Sequence, residues 1–136
     1  MEILVDFPGG TRVDAHFGPF TVGTDQPAAA GEGSAAPTPF ELFLASLATC
    51  AGVYVQGFCK KRGIPSDGIR LIQKVERNPE TKMAVKISLD IRLPEGFPQQ
   101  YVAAVMRAAE SCLVKKHLEH PPAFEVSASI SQASSK

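Results

Sequence analysis

The sequence predicts an α+β domain. Three observations carry this: short alternating segments at the start, one long uncharged stretch after residue 37, and later strands and helices that do not alternate as βαβ units. At 136 residues the chain is long enough to bury one real core, so a single domain over 1–136 is expected. "EILVDF" and "TRVDAHF" read as strands joined by "PGG", whose proline and paired glycines are turn chemistry, and "FTVG" reads as a third. A small N-terminal sheet follows from them. "TDQPAAAGEGSAAP", residues 24–37, has no hydrophobic period and is expected to be loop; loops of that length are uncommon without a task.

The long helix announces its own start. Thr38 is placed to cap it, Pro39 occupies the first position where a missing N–H is harmless, and Glu41 completes a capping box. It is expected to run to about Arg62 and to be stopped by Gly63 and Pro65. Phe40, Phe43, Leu44, Leu47, Tyr54, Val55 and Phe58 recur at three- and four-residue spacing and predict a large-residue face. Ala45, Ala48, Thr49 and Gly52 make the opposite face small rather than charged. Such a helix is buried all round, so a second helix is expected against the small face.

Downstream, "IRLIQKVERN" and "KMAVKISLDIRL" form an expected hairpin around "PETK", and Met83, Val85, Ile87, Leu89, Ile91 and Leu93 alternate along its second strand. From Pro98 a second helix places Tyr101, Val102, Val105 and Ala109 on one face, which Cys112 continues. "LVKKHLEH" is a short helical segment broken by Pro121 and Pro122. "AFEVSASIS" is an expected closing strand before a polar tail.

Composition narrows the function classes. Fourteen basic and fourteen acidic side chains cancel, which gives no general attraction to nucleic acid or to an anionic membrane. Leu42 to Cys59 is uncharged and meets the crude length test for a membrane span, but Ser46, Thr49 and Gln56 and two glycines interrupt it; no membrane partner is expected. "MEILVDFPGG" lacks the pattern of a secretory signal, so a cytoplasmic location is expected. Three cysteines are an odd number and far apart, unlike a secreted disulfide framework. Cys112, His117 and His120 fit no common zinc spacing, and no phosphate-binding glycine loop is present; neither metal nor cofactor is expected.

The thiols are the candidates for chemistry. A cysteine is nucleophilic only as thiolate, and that state needs a cation, a donor or a helix N-terminus nearby. Cys50 lies mid-helix, where the helix dipole helps little, at the edge of the large-residue face beside Phe43 and Tyr54. Taken alone it reads more readily as a small buried filler, although it can border a crevice. Cys112 reads equally as a continuation of the Tyr101, Val105 and Ala109 face or as a first-turn thiol of a short helix capped by Ser111. Cys59 is half a turn round the helix from Cys50 and reads as filler.

The pairing of "PTPFELFLASLATC" with a distal "MRAAESCLVKKHL" resembles the OsmC/Ohr family, and the likeness extends over essentially the whole chain. The resemblance implies an intertwined homodimer and thiol-dependent reduction of hydroperoxides, organic ones by preference. By it Cys50 corresponds to the peroxidatic cysteine and Cys112 to the resolving one, with an external dithiol as reductant. Arg12 is the counterpart of an N-terminal arginine that pairs with the reactive thiolate. In the family's hydroperoxidases a glutamate directly follows the helix-starting proline. Here that place is Phe40 and the glutamate comes one step later, about 100° round the helix, so Glu41 is expected to cap rather than to hold the arginine. This register resembles the OsmC-like branch. Two other functions stay open: a dimeric module holding an apolar ligand beside Phe43, Cys50 and Tyr54, and a thiol-based redox regulator, which lacks a DNA-binding helix or basic patch.

Overall fold

The computed structural model describes residues 1–27 and 34–131. Residues 28–33 of the expected loop and the last residues of the polar tail lie outside the described residues. Three antiparallel strands open the chain: β1 (Leu4–Gly9), β2 (Arg12–Phe17) and β3 (Phe20–Thr24), in the order β1-β2-β3. Gly9 and Gly10 take positive φ at the β1–β2 turn, the conformation for which glycine is suited. Asp25 then ties the base of the following segment. Its carboxylate accepts hydrogen bonds from the Thr11 hydroxyl (2.6 Å) and from the N–H groups of Gln26 and Ala35 (2.8 and 3.1 Å), while its own N–H donates to Pro37 O. These bonds hold its carboxyl below the usual carboxylate range, the Thr11 hydroxyl contributing most.

Helix α1 (Pro39–Lys61) begins with the expected capping box: Glu41 N–H donates to Thr38 Oγ1 (3.2 Å) and Thr38 N–H donates to Glu41 Oε2 (2.8 Å). It ends in a Schellman arrangement. Gly63 N–H donates to Lys60 O and Ile64 N–H to Cys59 O, with Gly63 at φ 65°. Thr38→Ala removes one of the two side-chain bonds at the start and is expected to cost about 1 kcal/mol, read as a lower urea midpoint with an unchanged slope. Glu41→Gln keeps an acceptor for Thr38 N–H and is expected to cost less.

The hairpin is formed by β4 (Arg70–Arg77) and β5 (Ala84–Arg92), paired from Arg70↔Arg92 to Arg77↔Ala84. Asn78 shapes its turn, its side-chain oxygen accepting from Glu80 and Thr81 N–H groups while its N–H donates to Met83 O (2.8 Å). A single 3₁₀ turn at Gln99–Tyr101 leads into α2 (Val102–Glu110), and α3 (Leu113–Glu119) follows after a break at Ser111 and Cys112.

The core lies where α1 meets α2 and the β4–β5 hairpin. Ala51, Val55, Cys59, Val105 and Ala109 are buried there, with Leu71, Leu89, Ile91 and Phe97 packed around them. Two expectations change. The stripe of α1 buried within the chain is Leu47, Ala51, Val55 and Cys59, one residue per turn, which joins Leu47 and Val55 of the expected large-residue face to the smaller Ala51 and Cys59 outside it. Helix α2 packs on that stripe because the alanine and cysteine let its backbone approach. Ala45, Thr49 and Val53 stay exposed and Ala48 and Gly52 half-buried, so among the described residues no helix of this one chain covers the small face.

The second change concerns residues 123–131, which form no strand. Phe124, Val126 and Ile130 are 87%, 95% and 98% exposed. Alternation alone does not make a strand; the backbone needs a ladder partner, and among the described residues the segment pairs with no strand. Among the described residues, α1 is the one helix long and apolar enough to cross a membrane, with a mean hydropathy of 1.6.

Candidate functional site

The break between α2 and α3 positions the second thiol. Ser111 ends α2, and Cys112, not Ser111, caps α3. Cys112 Sγ accepts the Lys115 N–H at 3.4 Å and lies 3.9 Å from Leu47 O on α1. It is buried, 3% exposed, and lines the same cavity as Ala109, as a continuation of the apolar face requires; it also stands at the start of α3, as the cap itself rather than in a first turn capped by Ser111.

Cys50 is half-buried, and the α2–α3 break brings Cys112 beside it, near enough for each thiol to act on the other's charge. The two react differently to that proximity. Cys50 is pulled below the ordinary thiol range, most by the Val114 N–H against the cost of burial, and further by the Cys112 S–H and the Leu113 N–H. Cys112 is pushed up, chiefly by burial, with the Lys115 N–H offsetting part of it and the neighbouring Cys50 adding to it. Of the first-turn N–H groups of α3, which an α-helix cannot satisfy internally, that of Lys115 donates to Cys112 Sγ, and those of Val114 and Leu113 lie near enough to Cys50 to draw its thiol down. Cys50 is thereby biased toward thiolate, relative to an ordinary thiol, and Cys112 toward thiol. Cys59 is 1% exposed and burial raises it, as a core filler requires.

A lowered pKa enlarges the thiolate fraction at neutral pH, and alkylation follows thiolate fraction. The rate of Cys50 alkylation by iodoacetamide is accordingly expected to rise at lower pH than that of an ordinary thiol, and that of Cys112 at higher pH. Peptide mapping of labelled protein across pH 5–10 checks the order; Cys112 labelling first would contradict it.

The other expected residues are distributed more widely. Arg12 belongs to the N-terminal sheet, where its Nη2 lies 3.2 Å from both carboxylate oxygens of Asp14, a buried residue two positions along the same strand face. Gly23, opposite Asp14, leaves room for it: a Cβ there would sit 3.1 Å from Arg12 Nη2. Arg12 also acts on Asp25. The alternation R-x-D in "TRVDAHF" signals the Arg12–Asp14 pair, and the sequence reading passed over it. Phe40, in the place of the family's glutamate, packs on Phe43 at 5.6 Å and under the Arg77 guanidinium at 4.9 Å. Glu41 is engaged in the capping box. His117 Nδ1 lies 2.8 Å from Leu113 O, a contact within its own helix.

A cavity of about 270 Å³ opens beside Cys112, walled by Leu47, Ala51, Leu89, Ile91 and Met106 among others, with Lys115 and Glu110 also in its lining. Phe43 and Tyr54 do not line it. Both are half-buried elsewhere on α1, so this cavity, on the Leu47 and Ala51 side, is distinct from the crevice expected beside them. Nothing in residue spacing marked this cavity, since its walls come from α1, the hairpin, α2 and α3 together.

Residues 31–127, which include both thiols, match the OsmC-like protein family. The chain belongs to the OsmC-like family. No curated protein matches it in sequence. Solved OsmC-type structures share its fold. An osmotic stress induced and detoxification response protein, so described, of Psychrobacter arcticus 273-4 aligns at TM-score 0.67 and 18% identity over 84% of this chain and 85% of that one. An OsmC-like protein of Mycoplasma pneumoniae aligns at TM-score 0.67 and 15% identity over 88% and 87%. The organic hydroperoxide resistance protein OhrB of Bacillus subtilis aligns at TM-score 0.53 and 21% identity over 86% and 90%. The OsmC-like α+β architecture therefore holds for this chain.

Proposed function

We propose that this chain is a thiol peroxidase that reduces hydroperoxides, organic ones by preference, through Cys50 and Cys112. The observation that carries the reading is the proximity of the two thiols, with Cys50 biased toward thiolate and Cys112 toward thiol. The Cys50 thiolate attacks a peroxide oxygen, the O–O bond breaks, and the alcohol departs with a proton while Cys50 becomes a sulfenic acid. Cys112 then attacks that sulfur and expels water, leaving a disulfide that an external dithiol reduces. Family membership and the fold shared with a hydroperoxide resistance protein support the same chemistry.

Arg12 enters this proposal as a guanidinium delivered by the N-terminal sheet and aimed by Asp14. The working form in this reading is a cytoplasmic homodimer. Its support is the apolar surface one chain leaves open: Leu4 and Phe7 on β1, Val53 on α1, and Phe124, Val126 and Ile130 in the tail are each more than half exposed. The register of Phe40 and Glu41 supports, within this reading, a place in the OsmC-like branch.

Mixing the reduced protein with substoichiometric cumene hydroperoxide and mapping its disulfides tests the activity. A Cys50–Cys112 link formed as peroxide disappears is the expected result; both thiols remaining reduced while peroxide persists would sink the reading. The cavity beside Cys112 favours a second reading, a module that holds an apolar ligand without turnover. A Cys50→Ser variant that retains ligand binding, in a protein inert to hydroperoxide, is its signature.

A further inference from the structure

We infer that the external dithiol restoring the oxidised protein attacks Sγ of Cys50 and expels Cys112, not the reverse. This rests on the dithiol reading above and adds which sulfur the reductant must reach. Thiol–disulfide exchange requires a thiolate to approach one sulfur in line with the S–S bond, from the side away from the sulfur that leaves. Cys112 is 3% exposed within a single chain, held against Leu47 O and the Lys115 N–H, so its burial does not depend on any assembly. The cavity that reaches it is walled largely by Leu47, Ala51, Leu89, Ile91 and Met106. A thiolate entering there sheds its water against apolar side chains, which opposes a charged nucleophile. Cys50 is half-buried and is the sulfur a peroxide must touch. The route that admits the oxidant serves the reductant as well.

Leaving-group chemistry runs the other way, which makes the inference discriminating. The thiol with the lower pKa leaves faster, so with equal access the reductant would attack Cys112 and release Cys50. Access decides here. The steps balance: the reductant's thiolate bonds to Cys50 Sγ, the S–S bond breaks, and Cys112 leaves with the electron pair beside the Lys115 N–H and takes up a proton. The second thiol of the reductant, deprotonated, then attacks its own sulfur in the mixed disulfide. Cys50 is released as thiolate to the Val114 and Leu113 N–H groups, and the reductant departs as a cyclic disulfide.

The full chain, oxidised with diamide so that the disulfide forms without hydroperoxide, is exposed briefly to excess glutathione, quenched in acid and alkylated with N-ethylmaleimide for peptide mapping. Glutathione on Cys50 with maleimide on Cys112 is expected, in roughly tenfold or greater excess over the opposite pattern. Glutathione on Cys112, comparable amounts on both, or failure of diamide to link the two overturns the inference. A second measurement compares Cys112→Ser with Cys50→Ser in reaction with Ellman's reagent. The former is expected to react at least about tenfold faster, and equal rates count against the inference. Hydroperoxide consumption, followed separately, tells the two failures apart: an inert protein with glutathione on Cys50 loses the peroxidase reading and keeps this one.

Discussion

Cys50→Ser is expected to abolish hydroperoxide reduction, lowering kcat/KM by on the order of 10⁴-fold or more, because a serine hydroxyl at neutral pH supplies no comparable nucleophile. Cys112→Ser is expected to behave differently. Its first turnover persists within about tenfold, since the Val114 and Leu113 N–H groups still favour the Cys50 thiolate, and only one of its donors changes. Continued turnover with a dithiol is then lost or slowed, and the sulfenic acid accumulates where dimedone traps it. Stopped-flow peroxide consumption and mass spectrometry of the dimedone adduct separate the two variants. Equal loss in both, with no adduct, would mean that Cys112 activates Cys50 rather than resolving it.

Val105→Asp is the substitution expected to damage the fold most. Val105 is fully buried where α2 meets the Ala51, Val55 and Cys59 stripe of α1, with no polar group of the core cluster to receive a carboxylate. An unpaired buried carboxylate costs on the order of 4–5 kcal/mol, comparable with the whole stability of many domains. Loss of soluble, helical protein by far-ultraviolet circular dichroism is the expected result. Val105→Ala is the graded companion: two methyl groups and a small cavity amount to about 2 kcal/mol, read as a lower urea midpoint with an unchanged slope. If the aspartate variant keeps the wild-type midpoint, the α1–α2 contact is not the centre of the core.

The sequence is most legible where a residue's own chemistry decides its conformation. Thr38, Pro39 and Glu41 specify the start of α1, and Gly63 its end, because capping is settled within a few residues. The β4–β5 hairpin follows from alternation and Asn78–Thr81 turn chemistry, and its ends differ from the expected ones by a residue or two. The tail strand was not legible in the same way. The period of Phe124, Val126 and Ile130 says which face wants cover, and cannot say which chain supplies it.

The site divides along the same line. That Cys50 and Cys112 belong together could be read from two motifs about sixty residues apart, but not what shifts their charge. A side-chain cation such as Arg12 announces itself in a sequence. The N–H groups of Leu113 and Val114 do not, because every residue other than proline carries the same donor. The faces of α1 were misassigned for a related reason: size suggested Phe43 and Tyr54 for burial, whereas close approach of α2 selected the smaller Ala51 and Cys59.

The cap of α3 has a consequence for how oxidation is felt. Cys112 Sγ accepts from the first turn of a seven-residue helix, too short to hold its shape by its own ladder alone, and the Val114 and Leu113 N–H groups of that turn bear on Cys50. When an oxidant converts the two thiols to a disulfide, the same event that consumes the oxidant takes charge and acceptor strength from that turn. In the proposed cycle, oxidation at two sulfur atoms is therefore expected to loosen the first turn of α3 as well, read as faster amide exchange there in the oxidised protein.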